Sequence, residues 1–229
     1  MNQYTSSTAS KRVPGQYHLT LHTQPIYGGL PLLNCAGGFV SEYLERLYCA
    51  IQRTTQRYSK VFAVRVDLHF PQYYSSIDHS VLSNEYLHLF IKSLRGQLKK
   101  YSDQRRQSGQ RVHEVGFNYV WAREYGPESE KPHFHLLLLF NGHAFNTLGC
   151  FSDDCESLYN RIGLAWAEAL KIHSHESTKY VHFPVDAQYQ LRSVDRGQLV
   201  ELFRRASYLA KLASKSFHDG CHVFGGGRL

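Results

Sequence analysis

Two short arrays in this chain bring together side chains able to do chemistry. The first is His133-Phe134-His135 at the head of an apolar run, Leu136 to Leu139. A strand alternates its faces with a period of two, so both imidazoles project from one side and Phe134 from the other, toward a core. Two imidazoles side by side on a rigid strand can share one cation. Spacing alone proves little: in a chain with 14 His, chance gives about one His-x-His. A second copy, His173-Ser174-His175, lies in a polar stretch. The first is set apart by its apolar middle residue, the leucines behind it, and Glu124, which a hairpin would bring to the start of the His strand. Two His and a carboxylate leave coordination positions open, which suits a divalent cation that must still bind phosphate oxygens and water.

The second array is Ser207-Tyr208-Leu209-Ala210-Lys211. On a helix, Tyr208 and Lys211 stand at i and i+3 on one face. A phenol titrates near ~10, so only about one in a thousand is ionised at pH 7 and a tyrosine nucleophile needs help. A cation that polarises a phosphate and an ammonium that favours negative charge supply it. Standing alone in a chain with 16 Tyr, this pattern is an ordinary surface pair. It gains weight beside the histidines.

The elements that must position these groups follow from hydrophobic periodicity. Phe39, Tyr43, Leu44, Leu47, Tyr48 and Ile51 recur at helical spacing, and Arg53 to Lys60 close that helix with positive charge. From Val61 to Phe70 the period shortens to a strand that carries Arg65, Asp67 and His69 on one face and stops at Pro71. A helix is predicted over Leu82 to Tyr101, then a basic loop holding Lys99, Lys100, Arg105, Arg106 and Arg111. Strands Val115 to Arg123 and His133 to Phe140 form an antiparallel hairpin across a Gly- and Pro-containing joint. Helices at Glu156 to Lys171 and Gln198 to about Lys215 flank a weak strand at Tyr180 to Pro184, and the tail ending Gly225-Gly226-Gly227 is expected to fray. This divides the chain into a flexible arm over residues 1–20, one folded domain over 21–215 and a tail over 216–229.

Composition agrees with one sizeable domain: 229 residues, 42% hydrophobic and 20% charged, which excludes a disordered tail or a disulfide-stapled miniprotein. Twenty-six Lys and Arg against 19 Asp and Glu leave +7, a balance suited to a polyanionic partner. No apolar run reaches the ~18 residues of a spanning helix, so no membrane partner is expected. The start lacks a basic stretch followed by an apolar core, and five Cys, an odd number, read as reduced thiols of a cytoplasmic protein.

The first-strand residues, then His133-Phe134-His135 with upstream Glu124, then Tyr208-Leu209-Ala210-Lys211, in that order, resemble the HUH endonuclease superfamily over about Lys60 to Lys215. A single tyrosine after the histidines is similar to rolling-circle replication initiators, and Trp121-Ala122-Arg123-Glu124 through His135 most resembles inovirus-type proteins of phages and prophages. The resemblance implies an α+β fold, a central antiparallel sheet of about five strands flanked by helices, as in RRM-like HUH nucleases. It implies metal-dependent nicking and joining of single-stranded DNA at a replication origin through a 5′-phosphotyrosine in a bacterial host. His133, His135 and Glu124 match the metal ligands for Mg²⁺ or Mn²⁺, Tyr208 the nucleophile and Lys211 its helper. Asp67 falls in the first-strand motif as a fourth ligand or a group behind the ligands, a charged departure from the family's usual residues there. Single-stranded or hairpin origin DNA is the implied partner, with Arg65 and the basic loop as candidate contacts. A host helicase and polymerase are implied too, since no Gly-x4-Gly-Lys-Ser/Thr loop occurs.

Three other readings are open. Cys150, Cys155, His173 and His175 could hold a structural zinc. The same fold could serve a catalytically inactive DNA-binding regulator, or a single-tyrosine transposase of the same superfamily.

Overall fold

The period-two run after Tyr58 organises the molecule, because its two faces bury into two separate cores. The structure, a computed structural model, describes residues 11–74, 83–126, 131–152, 155–176, 178–192 and 195–227. In chain order these form β1 (Arg12–Val13), β2 (Gln16–His22), β3 (Ile26–Tyr27), β4 (Leu30–Pro31), β5 (Phe39–Val40), α1 (Ser41–Arg57), β6 (Lys60–Leu68), α2 (Glu85–Gln107), β7 (Asn118–Tyr125), β8 (Pro132–Asn141), α3 (Leu158–Leu170), β9 (Val181–His182), β10 (Gln188–Arg192), α4 (Arg196–Ala206) and β11 (Phe224–Gly226). Short 3-10 turns lie at Ser174–Glu176 and Ser207–Ala210.

The main sheet is antiparallel and six-stranded, in the order β10-β6-β8-β7-β11, with β9 also paired to β6. β9 meets β6 at Asp67 and Leu68, while β10 meets it from Lys60 to Val64. They share one lane, so the expected five lanes hold six strands. The fold class is the expected α+β arrangement.

Phe62, Val64, Val66 and Leu68 of β6 join Phe134, Leu136 and Leu138 of β8 under α2 and α3, around Phe90 and Trp166. Val61 and Ala63 join Leu137 and Leu139 on the opposite face, under Leu44, Leu47 and Ile51 of α1 and Leu202, Phe203 and Ala206 of α4. Each such buried side chain contributes about 1.5–3 kcal/mol of transfer free energy. The four leucines behind the histidines thus alternate between two cores and fix the β8 register, because a slip of one residue would exchange the faces.

Several boundaries differ from the sequence expectation. The second helix runs on to Gln107, so Lys99, Lys100, Arg105 and Arg106 stand on its last turns rather than in a loop; the expected start at Leu82 lies outside the described residues. Gln16–His22 is a strand that pairs with β1 and β5, so the arm, whose first ten residues lie outside the described ones, ends earlier than residue 20. The glycine-rich end does not fray: Phe224, Gly225 and Gly226 pair with Ala122, Trp121 and Val120. Glycine is required there, because a Cβ on Gly225 would sit 2.8 Å from Trp121 ring atoms. The last helix stops at Ala206, where Ser207 Oγ donates to the Arg204 carbonyl and accepts from the Leu33 N–H. Cys150 and Cys155 are a bonded pair with Cα atoms 6.5 Å apart, while Cys35, Cys49 and Cys221 are free. That bond corrects the expectation of reduced thiols throughout and takes both sulfurs from a zinc site; the side chain of His175 lies outside the described residues.

Candidate metal and tyrosine site

The hairpin sets Glu124 of β7 directly opposite His133 of β8, and Ala122 opposite His135. On the other side of β8, Asp67 of β6 faces His135 and in turn His182 of β9. Directly opposed residues share a face, so Glu124, His133, His135, Asp67 and His182 come together from four strands. They occupy the end of the α1/α4 face that those helices leave uncovered.

Ligand atoms of Glu124, His133 and His135 all lie within 4.8 Å of one another. The two Nε2 atoms are 3.0 Å apart, and His135 Nε2 is 3.4 Å from Glu124 Oε2. Neighbouring ligands at ~2.1 Å from an octahedral ion stand about 3 Å apart, so these two separations are in the range for ligands of one divalent cation. Asp67 is not among the converging atoms. Its Oδ1 lies 2.6 Å from His135 Nδ1, the ring nitrogen on the other side from Glu124. An Nδ1–H donated to Asp67 leaves Nε2 as the free lone pair. The structure therefore places Asp67 at the His135 ring nitrogen that faces away from the converging ligand atoms.

Burial and charge set the protonation. Burial would raise the Glu124 carboxyl, but the His135 hydrogen bond and the Lys215 ammonium hold it well below the usual carboxylate range. Burial, with the neighbouring His135 and His69, pushes His133 down to about 4, which keeps its ring neutral at pH 7 and its lone pair available to a cation. Burial also lowers His135, yet the bonds to Asp67 and Glu124 outweigh it and raise that ring. His69 stacks on His133 at 5.4 Å between centroids.

Tyr208 is delivered to the same face by the 3-10 turn. Lys211 leaves that turn with extended backbone, pairs with Phe39, and Leu212 N–H bonds the Gly38 carbonyl, so the turn is tied to β5. These tertiary contacts override the expected helix through Lys215. The Tyr208 ring meets His135 edge-on at 5.2 Å. Lys211 Nζ stands 3.6 Å from the Tyr208 ring centroid and 3.0 Å from Glu124 Oε2, touching both halves of the site. Burial would lower the Lys211 ammonium, but the Tyr208 and Glu124 contacts raise it.

Lys215 was not singled out in the sequence. Its ammonium lies on Glu124 Oε1, and burial pushes it down to about 8. His182 was missed too; it sits 3.6 Å from Asp67 Oδ2. No local pattern marks either residue. Of the proposed DNA contacts, Arg65 lies at the site. Lys99, Lys100, Arg105 and Arg106 do not: their end of α2 packs on the other face, where Tyr101 meets Phe145 beyond the far end of β8. Lys99 and Arg106 both pair with Asp103, and Arg111 is exposed just past the helix.

An antiparallel α+β domain with a two-histidine, one-carboxylate centre beside a tyrosine is the class that fold and site define. The chain belongs to the YagK/YfjJ C-terminal domain family, whose sequence model matches residues 22–227. It is 33% identical over 196 residues to the uncharacterized protein YagK of Escherichia coli (strain K12), covering 82% of this chain and 93% of that protein. It is 29% identical over 198 residues to the uncharacterized protein YfjJ of the same organism, covering 82% and 95%. No solved structure matches the chain. No helix among the described residues is long and apolar enough to cross a membrane.

Proposed function

We propose that this protein is an HUH-type endonuclease that nicks and rejoins single-stranded DNA through Tyr208 and so initiates rolling-circle replication. The observation that carries the reading is the meeting of Tyr208 with a preformed Glu124–His133–His135 ligand set, its ring 5.2 Å from that of His135. The donor set fits Mg²⁺ or Mn²⁺, which would supply Lewis-acid polarisation of one phosphate. At the site Glu124 and Asp67 stand against Lys211, Lys215 and Arg65, an excess of one positive charge. A bound divalent ion would add two more for the phosphodiester and a phenolate.

Tyr208 Oη attacks phosphorus, forming an O–P bond to the 5′ side while the bond to the 3′ oxygen breaks. The phenol loses its proton to water, and the leaving oxygen gains one to become a 3′-OH that a host polymerase can extend. Lys211 offsets the charge on the phenolate. The phosphodiester energy stays in the covalent link, so a returning 3′-OH can rejoin the strand.

The test is incubation of a randomised single-stranded DNA pool with protein and Mn²⁺, followed by denaturing electrophoresis and sequencing of protein-linked strands. A covalent adduct at one sequence class, lost in Tyr208→Phe, is expected. No adduct, or one that survives Tyr208→Phe, overturns the reading; retained DNA binding without any adduct would instead mark a binding protein of the same fold.

A further inference from the structure

Arg65 is a half-buried guanidinium that makes no salt bridge among the described residues, although its charge helps to hold the Asp67 carboxyl low. It projects from β6 on the same face as Asp67, two residues along, and its backbone N–H is fixed to the Ala187 carbonyl at 2.8 Å. Its nearest acid on that face is taken, since Asp67 is bound by His135 at 2.6 Å and approached by His182 at 3.6 Å. Arg65 Nε is buried and has no hydrogen-bond partner, and among the described residues the side chain makes no ion pair. What it does touch is Tyr208, with Cζ 5.8 Å from the ring centroid. The half-buried Arg204 and Arg205 share Glu201, and the buried Arg161 has Glu156.

A buried Nε–H with no acceptor is costly, so an arginine kept that way beside a tyrosine calls for an anion supplied from outside. Its planar fork matches two oxygens of one phosphate, which an ammonium such as Lys211 cannot do. We propose that Arg65 grips the non-bridging oxygens of the phosphate that Tyr208 attacks, which makes it a catalytic residue. The inference rests on the nuclease reading and adds to it: negative charge that builds on those oxygens is met by Arg65, while Lys211 serves the phenolate. Arg65 forms no covalent bond in the step.

The test uses a strand recovered as an adduct from the randomised pool, made with an ordinary phosphate or a neutral methylphosphonate at the linked position. Arg65→Gln is expected to slow single-turnover adduct formation on the ordinary strand by about 10²–10³-fold, as loss of one charge-stabilising donor does elsewhere. In a Tyr208→Phe background, Arg65→Gln is expected to weaken binding of the ordinary strand by about tenfold, the scale of one charge-assisted hydrogen bond, and to leave the neutral strand unaffected. Arg65→Lys, which keeps the charge and loses the fork, provides a second variant should Arg65→Gln fold poorly, and is expected to show intermediate slowing. An unchanged adduct rate, or equal weakening on both strands, overturns the assignment while the nuclease reading stands. No adduct from wild-type protein sinks both.

Discussion

Lys215 Nζ stands 2.5 Å from Glu124 Oε1 with both side chains shut off from solvent, at 0% and 1% exposure. A buried ion pair of this kind adds little over an apolar pair, but removing one partner strands the other charge, at a cost of about 3–5 kcal/mol. Lys215→Met leaves Glu124 with Lys211 at 3.0 Å, so the cost should be about 3 kcal/mol or less and lower the thermal midpoint by up to about 6–12 °C, at about 2–4 °C per kcal/mol for a chain of this size. Glu124→Gln combined with Lys215→Met should recover part of that loss. Calorimetry of the three proteins checks it; a single variant as stable as wild type would show that the pair does not hold Glu124.

Because three ligand atoms converge before any cation arrives, Mn²⁺ should stabilise the folded protein. At about 100 times its dissociation constant the gain is about 2.7 kcal/mol, visible as a rise in thermal midpoint that EDTA reverses. His133→Ala and His135→Ala should each abolish most of the rise. Asp67→Asn should weaken Mn²⁺ binding by about 10–100-fold through loss of the group that orients His135. If His135→Ala responds to Mn²⁺ as wild type does, the ion binds elsewhere.

The residues legible in the sequence were those whose placement is local. A strand period of two puts His133 and His135 together whatever the rest of the chain does, and a short joint brings Glu124 opposite. Lys215 and His182 reach the site through contacts more than 90 and 110 residues away in sequence, to Glu124 and Asp67, and no spacing encodes those. Tyr208 and Lys211 were found as a pair but on the wrong element, since the bonds at Ser207 and the Phe39 bridge stop a helix that the apolar period would continue. The strand Phe224–Gly226 was hidden because glycine disfavours strands in general; here the close approach of Trp121 requires it. The basic cluster had the right charge but belongs to the far end of α2.

Lys211 touches Glu124 and Tyr208 at once, so its two roles should separate on substitution. Lys211→Gln leaves Glu124 still bound by Lys215, and Mn²⁺ should continue to raise the thermal midpoint. Adduct formation should fall by about 10²-fold, in the range for loss of one electrostatic donor. Parallel loss of the Mn²⁺ response would instead make Lys211 a support of the ligand set.

The segment after the tyrosine turn is held by Asp219, which pairs with the buried Arg123 and accepts from Tyr125 Oη at 3.1 Å. Burial by itself would raise the Asp219 carboxyl, but the Arg123 hydrogen bond, the Cys221 N–H and the guanidinium charge hold it below its ordinary value of 3.8. A carboxyl depressed in the folded state contributes stability that is fully present above the unfolded value and is lost as pH falls through the folded one. Asp219→Asn should thus cost about 1.5–3 kcal/mol at pH 7, the scale of a hydrogen bond between charged groups. The difference from wild type should begin to shrink below about pH 4, where the unfolded carboxyl protonates. Urea denaturation of both proteins at pH 7, 5 and 3 measures it. A difference that persists undiminished at pH 3 would mean that shape rather than charge anchors this segment against β7.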